Sequence, residues 1–355
     1  MGNTVDIPKY TAFLSQVLHR SGFCREDASR IAHIMVENEK LGISTHGSFH
    51  LSTYLKKIQR GSIHPKGAIT IVSQGPTWAN MDANGNLGFL AADKAIKVAM
   101  RKARESGMSL VTVKNSSHYG TGAFFERMAA ENGMASIVCS NTWKLMAVPG
   151  SRGKVIGNSP IGYGFPAGEE APVFFDIATS AASLTKVLRC AEERQPVPDG
   201  WIVDSRGLPT NDPTTPDYSL LPFGGHKGYG WAFFVEALTG MVSGGCCLSS
   251  VGQDWIQNLD VTPKVCHAFL VIDLRKLLGA GVFEKRMDAC IRELHSAPKA
   301  EGSERIYVPG EIEAQNREIA EQNGIVLTDA HIARLREVSA LSGVPLKGIF
   351  QNTHI

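Results

Sequence analysis

The sequence predicts an α/β (α+β) protein with a helical N-terminal part, on three observations. Apolar residues fall at helical spacing through the first 58 positions. From residue 109 onward, short β-branched runs alternate with helical segments. The length of 355 residues, at ~100–200 residues per domain, leaves room for two domains.

Phe13, Leu14, Val17 and Leu18 form one stripe in a helix predicted over 10–18. Ile31, Ile34, Met35 and Leu41 do the same over 27–41, and Leu51, Tyr54, Leu55 and Ile58 over 46–58, where Gly61 stops the third helix. Residues 69–72 read as a strand. The Asn84–Gly88 turn leads into a long helix over 89–105. A strand over 109–113, a helix over 123–132 closed by Gly133, and a strand over 135–139 follow. Between 149 and 171, glycine and proline leave no regular element. Val173-Phe174-Phe175 reads as a short buried strand and 177–190 as a helix. The stretch 196–222, rich in Pro, Asp, Gly and Thr, is long enough to form a lid or arm. An apolar helix over 228–241, a strand over 265–272 and helices over 283–294 and 329–338 complete the chain, with Thr328 as N-cap of the last.

Composition excludes several classes. Hydrophobic residues make up 43% and charged residues 20%, which is globular rather than disordered. Lys+Arg 36 against Asp+Glu 34 gives a net charge of +2, and no run of basic residues occurs, so no nucleic-acid partner is expected. No apolar run reaches the ~18 residues of a membrane helix. The N-terminal Met1–Asp6 carries neither a basic stretch nor an apolar core, so no secretion signal is expected. Seven scattered cysteines without C-x-x-C read as reduced thiols in a cytoplasmic protein, with no metal site.

Four segments bear on chemistry. Gly162-Tyr163-Gly164-Phe165-Pro166-Ala167 fits G-x-G-x-x-A, but Pro166 and Pro172 prevent the helix that a Rossmann turn requires, so that reading is rejected. Ser44-Thr45-His46-Gly47-Ser48-Phe49-His50, with Tyr54 following, offers a histidine suited to proton transfer, its ring orientable by Thr45; a solvated histidine in the first turn of a helix is the bland reading. Lys114 to Gly122, with His118, is a polar turn after a strand, where α/β proteins place ligand contacts; it reads equally as an ordinary capped turn. Leu221 to Gly230 flanks His226-Lys227 with glycines, so amides and an ammonium could hold phosphate oxygens, or the run could be a surface hinge.

Together and in order, these segments resemble the malate/L-lactate dehydrogenase type 2 family. Its D-S-H-G-x-x-R pattern, with a following Tyr, resembles Ser44 to Tyr54. R-N-S-x-H-x-G resembles Lys114 to Gly120, and the T-N-T/S strand end resembles Ser140-Asn141-Thr142. G-T-N-P-I resembles Gly157 to Ile161, and L-D-x-A-T-S resembles Phe175 to Ser180. L-P-x-G-G-H-K-G-x-G stands intact from Leu221 to Gly230, and P-G-E-x-E resembles Pro309 to Glu313.

The resemblance implies a non-Rossmann, mixed-sheet fold that binds NAD or NADP, and a homodimer of intertwined subunits. It implies a helical domain of residues 1–75, with 311–355 packing back on it, and a cofactor-binding α/β domain of residues 76–310. The implied reaction interconverts 2-hydroxy and 2-keto carboxylates; reduction of a cyclic ketimine is the alternative, and a cofactor-binding relative without activity a third reading. By the same resemblance His46 is the proton donor and acceptor with Thr45 beside it, and His118 takes that role in the ureidoglycolate branch. A small carboxylate substrate would meet His50, Tyr54 and Lys144. Cofactor contacts fall at Ser140, Asn141, Thr142, Asp176, Ile177, Ala178, His226, Lys227, Gly310 and Glu311. Departures fall at His50, where the family has an arginine clamp, at Thr185 for a glycine, and at Ser44 and Thr45 for Asp and Ser.

Overall fold

A computed structural model describes residues 3–254 and 256–351. Its centre is a seven-stranded sheet. From one edge to the other the strands are Thr70–Gly75, Trp78–Asp82, Met108–Ser116, Val265–Asp273, Met134–Ser140, Ile161–Phe165 and Val173–Ile177. Only the pair Trp78–Asp82 with Met108–Ser116 is parallel; the other neighbours are antiparallel. The sheet is therefore mixed. The middle strand, Val265–Asp273, is mostly apolar and largely buried, as a strand covered on both faces requires.

Helix Gly88–Ser106 lies against Met108–Ser116 and Val265–Asp273, and helix Ala123–Glu131 against Met134–Ser140 and Ile161–Phe165. Helices Ile7–Arg20 and Arg25–Lys40 pack together, and Asp329–Ser342 packs on Leu51–Gln59. Asp6 caps the first helix by accepting from the Lys9 amide at 3.0 Å, and Thr328 caps the last by accepting from His331 at 3.2 Å. One apolar core runs from Tyr10, Ile31 and Leu335 through Phe89 to Val111 and Phe269, so the helical layer and the sheet share an interior. A smaller sheet joins Lys144–Met146 and Ile156–Gly157 to Ser219–Leu220, Ile202–Val203 and Pro209–Thr210. It closes over Leu145, Met146, Val187 and Ile202.

The structure corrects several expected elements. Residues 149–171 do contain a strand of the main sheet, Ile161–Phe165. Its Gly162 and Gly164 are glycines because the Ala123–Glu131 helix comes close: a Cβ on Gly164 would strike the Glu126 backbone. The helix expected over 177–190 starts only at Leu184, since the preceding chain continues the strand to Ile177. The third helix starts at Leu51 rather than His46, after the 3₁₀ turns Ser44–His46 and Ser48–His50. The 228–241 helix starts at His226 and widens into a π-turn at Ala237–Met241. The 196–222 arm is folded into the smaller sheet. Strand Trp78–Asp82 and helix Glu311–Asn323 escaped the apolar pattern. The strand buries two side chains in five and the helix buries only Ala320.

The turn carrying His46 is anchored from below. The Ser48 amide donates to Glu39 Oε1 at 2.7 Å, and the Tyr10 hydroxyl donates to the same oxygen at 3.3 Å. Ser48 Oγ lies 2.5 Å from the Tyr10 hydroxyl and 2.7 Å from His331 Nε2. Gly47 has no side chain because Glu39 occupies that space. Burial pushes the Glu39 carboxyl up to about 7, and the donors from Ser48 and Tyr10 only partly offset it. A carboxyl raised on folding contributes stability that is fully present below its unfolded value of 4.5 and is lost as pH rises through about 7. Across that window the stability of the protein, relative to its Glu39→Gln variant, is expected to fall by up to about 1.4 kcal/mol per pH unit. Urea denaturation of both proteins at several pH values checks this; equal slopes would refute it.

Candidate active site

The two 3₁₀ turns hold two imidazoles, His46 and His50, against His118 in the loop after Met108–Ser116. His46 is fixed at both ends. Its carbonyl accepts from Asn38 Nδ2 at 3.0 Å, and its Nδ1 lies 3.0 Å from Thr45 Oγ1. His118 faces it with ring centroids 5.4 Å apart, and His50 meets His118 edge-on at 6.2 Å. The Gly120 amide donates to His118 Nδ1 at 3.4 Å, which makes that nitrogen an acceptor. The Tyr54 hydroxyl, 2.7 Å from the same nitrogen, therefore donates, and the ring proton sits on Nε2. Gly120 has φ +86°, and a Cβ there would lie 2.7 Å from the Phe89 ring and 2.9 Å from the His46 carbonyl. Only glycine lets the His118 loop approach the His46 turn this closely.

The three imidazoles are half-buried. Burial pulls His50 down to about 3, with His46, Arg334 and His331 adding to the effect. Burial likewise holds His118 well below the usual histidine range, with His46, His50 and His267 behind it. His46 is lowered by burial too, but Asp176 opposes the shift. The cluster is therefore neutral near pH 7, and a carboxylate stands ready to stabilise a proton on His46.

Asp176 is the last residue but one of the Val173–Ile177 strand. Its Oδ2 accepts from the Gly122 amide at 2.7 Å and from the Thr121 hydroxyl. The segments singled out for a cofactor converge near this strand end. Thr142 Oγ1 donates to Asn158 Oδ1 at 3.1 Å. The Thr179 amide donates to the Asn158 carbonyl at 3.0 Å, and Phe223 N donates to the Thr179 carbonyl at 3.0 Å. Phe174 N reaches the Pro309 carbonyl at 3.4 Å, which brings Gly310 alongside. The residues present fit an anionic dinucleotide. His226 and Lys227 are exposed in the first turn of helix His226–Glu236, where no acidic residue balances them. Gly224 and Gly225 before them have positive φ, and a Cβ on Gly225 would meet nothing within 4 Å. Among the described residues the buried hydroxyls of Ser159 and Thr179 have no hydrogen-bond partner. A pocket of about 500 Å³ opens beside Gly224 and Gly225, lined also by Val148, Pro149, Val203 and Pro222.

Other predicted residues sit differently. Ser140 Oγ is 2.9 Å from Nδ1 of the buried His267, whose Nε2 is 2.8 Å from Ser116 Oγ. Asn141 is fully buried; it accepts from the Cys266 amide at 2.8 Å and donates to the Cys246 carbonyl at 2.9 Å. Both side chains are committed inside the fold and bear on Thr142 through the backbone. Lys144 lies on the smaller sheet, paired through its backbone with Gly157. Glu311 Oε1 is 2.9 Å from both His295 and Arg305, and Oε2 accepts from the Val308 amide at 3.0 Å. Sequence reasoning missed Asn38 and Glu126, which are polar residues with no local pattern; Thr121 and Asn158 lay inside segments it singled out, without a role of their own. His267, a lone histidine inside the apolar run of its strand, was the one with a signal to find.

Half-buried neutral histidines, and a glycine turn with an exposed lysine at a helix N-terminus, are the parts that an oxidoreductase using a nicotinamide needs from its protein. The profile of the malate/L-lactate dehydrogenase family matches residues 5–336, and the chain belongs to that family. It is 32% identical over 353 residues to malate dehydrogenase of Pyrococcus abyssi, covering 96% of each chain. It is 30% identical over 340 residues to the Δ1-pyrroline-2-carboxylate/Δ1-piperideine-2-carboxylate reductase of Pseudomonas syringae pv. tomato, covering 95% of this chain and 96% of the reductase. The sulfolactate dehydrogenase structure from Methanocaldococcus jannaschii superposes with a TM-score of 0.90 at 28% identity, covering 98% of this chain and 99% of that one. The chain is thus an NAD(P)-dependent oxidoreductase of the hydroxy-acid/keto-acid kind, with the expected α/β fold. Among the described residues no helix is long and apolar enough to cross a membrane.

Proposed function

We propose that the protein interconverts a 2-hydroxy carboxylate and its 2-keto partner, with His46 as the proton shuttle. The observation that carries this is the meeting of two half-buried imidazoles, His46 and His118, with ring centroids 5.4 Å apart and Thr45 Oγ1 3.0 Å from His46 Nδ1; the Asp176 charge works against the burial of the His46 ring. The nicotinamide, when bound, supplies the hydride chemistry. Neutral His46 takes the hydroxyl proton of the alcohol, or returns it to the carbonyl oxygen, and Asp176 stabilises the imidazolium in between. Thr45 sets the ring orientation. His118 presents its Nε2–H to the substrate oxygen, and Tyr54 spends its own proton on holding that ring. His50, neutral where the family has arginine, offers the substrate carboxylate a hydrogen bond rather than a charge, and we assign the balancing cation to Lys144. Thr142, Asp176, Ile177, Ala178, His226, Lys227 and the Gly310–Glu311 turn line the nicotinamide dinucleotide, with Ser140 and Asn141 supporting Thr142. The same groups suit a cyclic ketimine, and identity to the Pseudomonas reductase supports this as the second reading.

We also propose a homodimer. Trp231, Phe233, Phe234, Met241 and Val242, all between 44% and 53% exposed, cluster on and just after helix His226–Glu236. An apolar group of that size is normally covered by a partner. A domain division at residues 75 and 310 belongs to the same reading: Asp329–Ser342 packed on Leu51–Gln59 supports it, while strand Thr70–Gly75 pairs with Trp78–Asp82 and so goes with the main sheet.

Three measurements test these assignments. With a panel of 2-keto acids and NADH or NADPH oxidation as the signal, His46→Asn is expected to lower turnover at least ~100-fold at nearly unchanged cofactor affinity. Retained turnover in His46→Asn with loss in His118→Asn would transfer the role to His118. Lys227→Ala removes a charge-assisted phosphate contact of about 1.5–3 kcal/mol. Fluorescence titration should show cofactor affinity weakened roughly 10–100-fold, and a change within twofold would take Lys227 out of the site. Sedimentation at micromolar concentration should find twice the chain mass of 38.3 kDa, and a monomer would count against the dimer.

A further inference from the structure

Glu126, on helix Ala123–Glu131, is fully buried at the back of the site. Among the described residues neither of its carboxyl oxygens receives a hydrogen bond. An anion in that position would have no donor to replace water, which the interior does not tolerate. A carboxylic acid there has one proton to give and needs an acceptor.

The surroundings are built to let this side chain reach one. A Cβ on Gly162 would collide with Glu126 Oε1. A Cβ on Gly122 would come to 2.7 Å from the same Oε1 and to 3.3 Å from Asp176 Oδ1, so the two oxygens border one small space that glycine keeps open. Asp176 Oδ2 is already engaged by Thr121 and by the Gly122 amide, which leaves Oδ1 on the Glu126 side.

We propose that Glu126 is a positioning residue: a neutral carboxylic acid that donates its O–H to Asp176 and so fixes the carboxylate that serves His46. The inference rests on the reading of His46 as the shuttle. With Thr121 and Gly122 on one oxygen and Glu126 on the other, the Asp176 carboxylate cannot turn. The pair carries one negative charge rather than two, because a second charge on the fully buried Glu126 would face that of the half-buried Asp176 without water to screen it. Burial, and then Asp176, hold the Glu126 carboxyl well above the usual range, in agreement with this. The other titratable groups near Glu126 are Tyr163, Tyr119 and Cys139, all of which burial raises and keeps neutral. Arg127, next in the chain, is spent on Glu37 and Glu131. Around His46 the charged or titratable neighbours are Asp176, His50 and His118.

Two readouts on the full-length protein test this without relying on activity. The infrared difference spectrum at pH 7 in heavy water, wild type minus Glu126→Gln, should contain the C=O band of an un-ionised carboxylic acid, because the Glu39 carboxyl, which titrates at about 7, contributes equally to both proteins and cancels. Titration of the His46 imidazole by NMR should be unchanged in Glu126→Gln, which keeps a donor. In Glu126→Leu the undiluted Asp176 charge favours the imidazolium, and His46 should titrate higher by about one pH unit. Absence of the acid band, a lower His46 titration in Glu126→Gln, or an unmoved or lower one in Glu126→Leu overturns the proposal. If Glu126→Leu does not fold, the band and Glu126→Gln decide it. Failure of the shuttle reading shows separately, as turnover retained in His46→Asn.

Discussion

The site depends on one carboxylate. Asp176 stands one residue before the edge strand of the main sheet ends, and its Oδ2 takes both the Thr121 hydroxyl and the Gly122 amide from the loop that bears His118. That contact joins the histidine side of the molecule to the side where Thr142, Asn158, Thr179 and Phe223 are linked. Without it the 118–122 loop loses its hydrogen bonds to the strand that leads into 176–180, and His46 loses the charge that opposes its burial. A carboxylate bound by a backbone amide and a hydroxyl is held more tightly than one meeting a side chain alone, because fewer rotamers are open to it.

Close backbone approach is the second constraint. Gly88 starts its helix where a Cβ would lie 2.5 Å from the His118 carbonyl, and Gly120 sits against Phe89 and the His46 carbonyl. Gly47 gives its space to Glu39, and Gly162 to Glu126. Each of these positions lies between two elements distant in the chain. Their shared feature is that a methyl group would push the histidines, or the carboxyls behind them, out of register.

Burial, more than pairwise charge, sets the protonation of the cluster. It is the largest cause of the shift at His46, His50 and His118 alike, and neighbouring imidazoles add to it at His50 and His118. A neutral cluster suits a site that must pick up and release a proton rather than hold one. It also changes what His50 means. An arginine would bring a permanent charge to the substrate carboxylate, whereas this histidine stays neutral, so the carboxylate has to find its charge elsewhere.

Much of this is legible in the order of the amino acids. The helical stripes at 10–18 and 27–41, the strands near 109–113, 135–139 and 265–272, and the rejection of a Rossmann turn at Gly162 all follow from spacing and from proline, because periodicity and φ restriction act locally. The ordered motifs also point to the family and to His46, His118 and Lys227. Other features are decided only in three dimensions. Ile161–Phe165 is a strand because the neighbouring strands need a partner and its glycines admit a helix, an outcome no local propensity records. Glu126 and Asn38 look like ordinary polar residues in sequence. Ser140 and Asn141 match a cofactor motif yet spend their side chains inside the fold. Spacing along the chain determines which face of an element is apolar; which polar group ends up buried beside which depends on the packing of elements far apart in sequence, and that packing sets the charge state of the site.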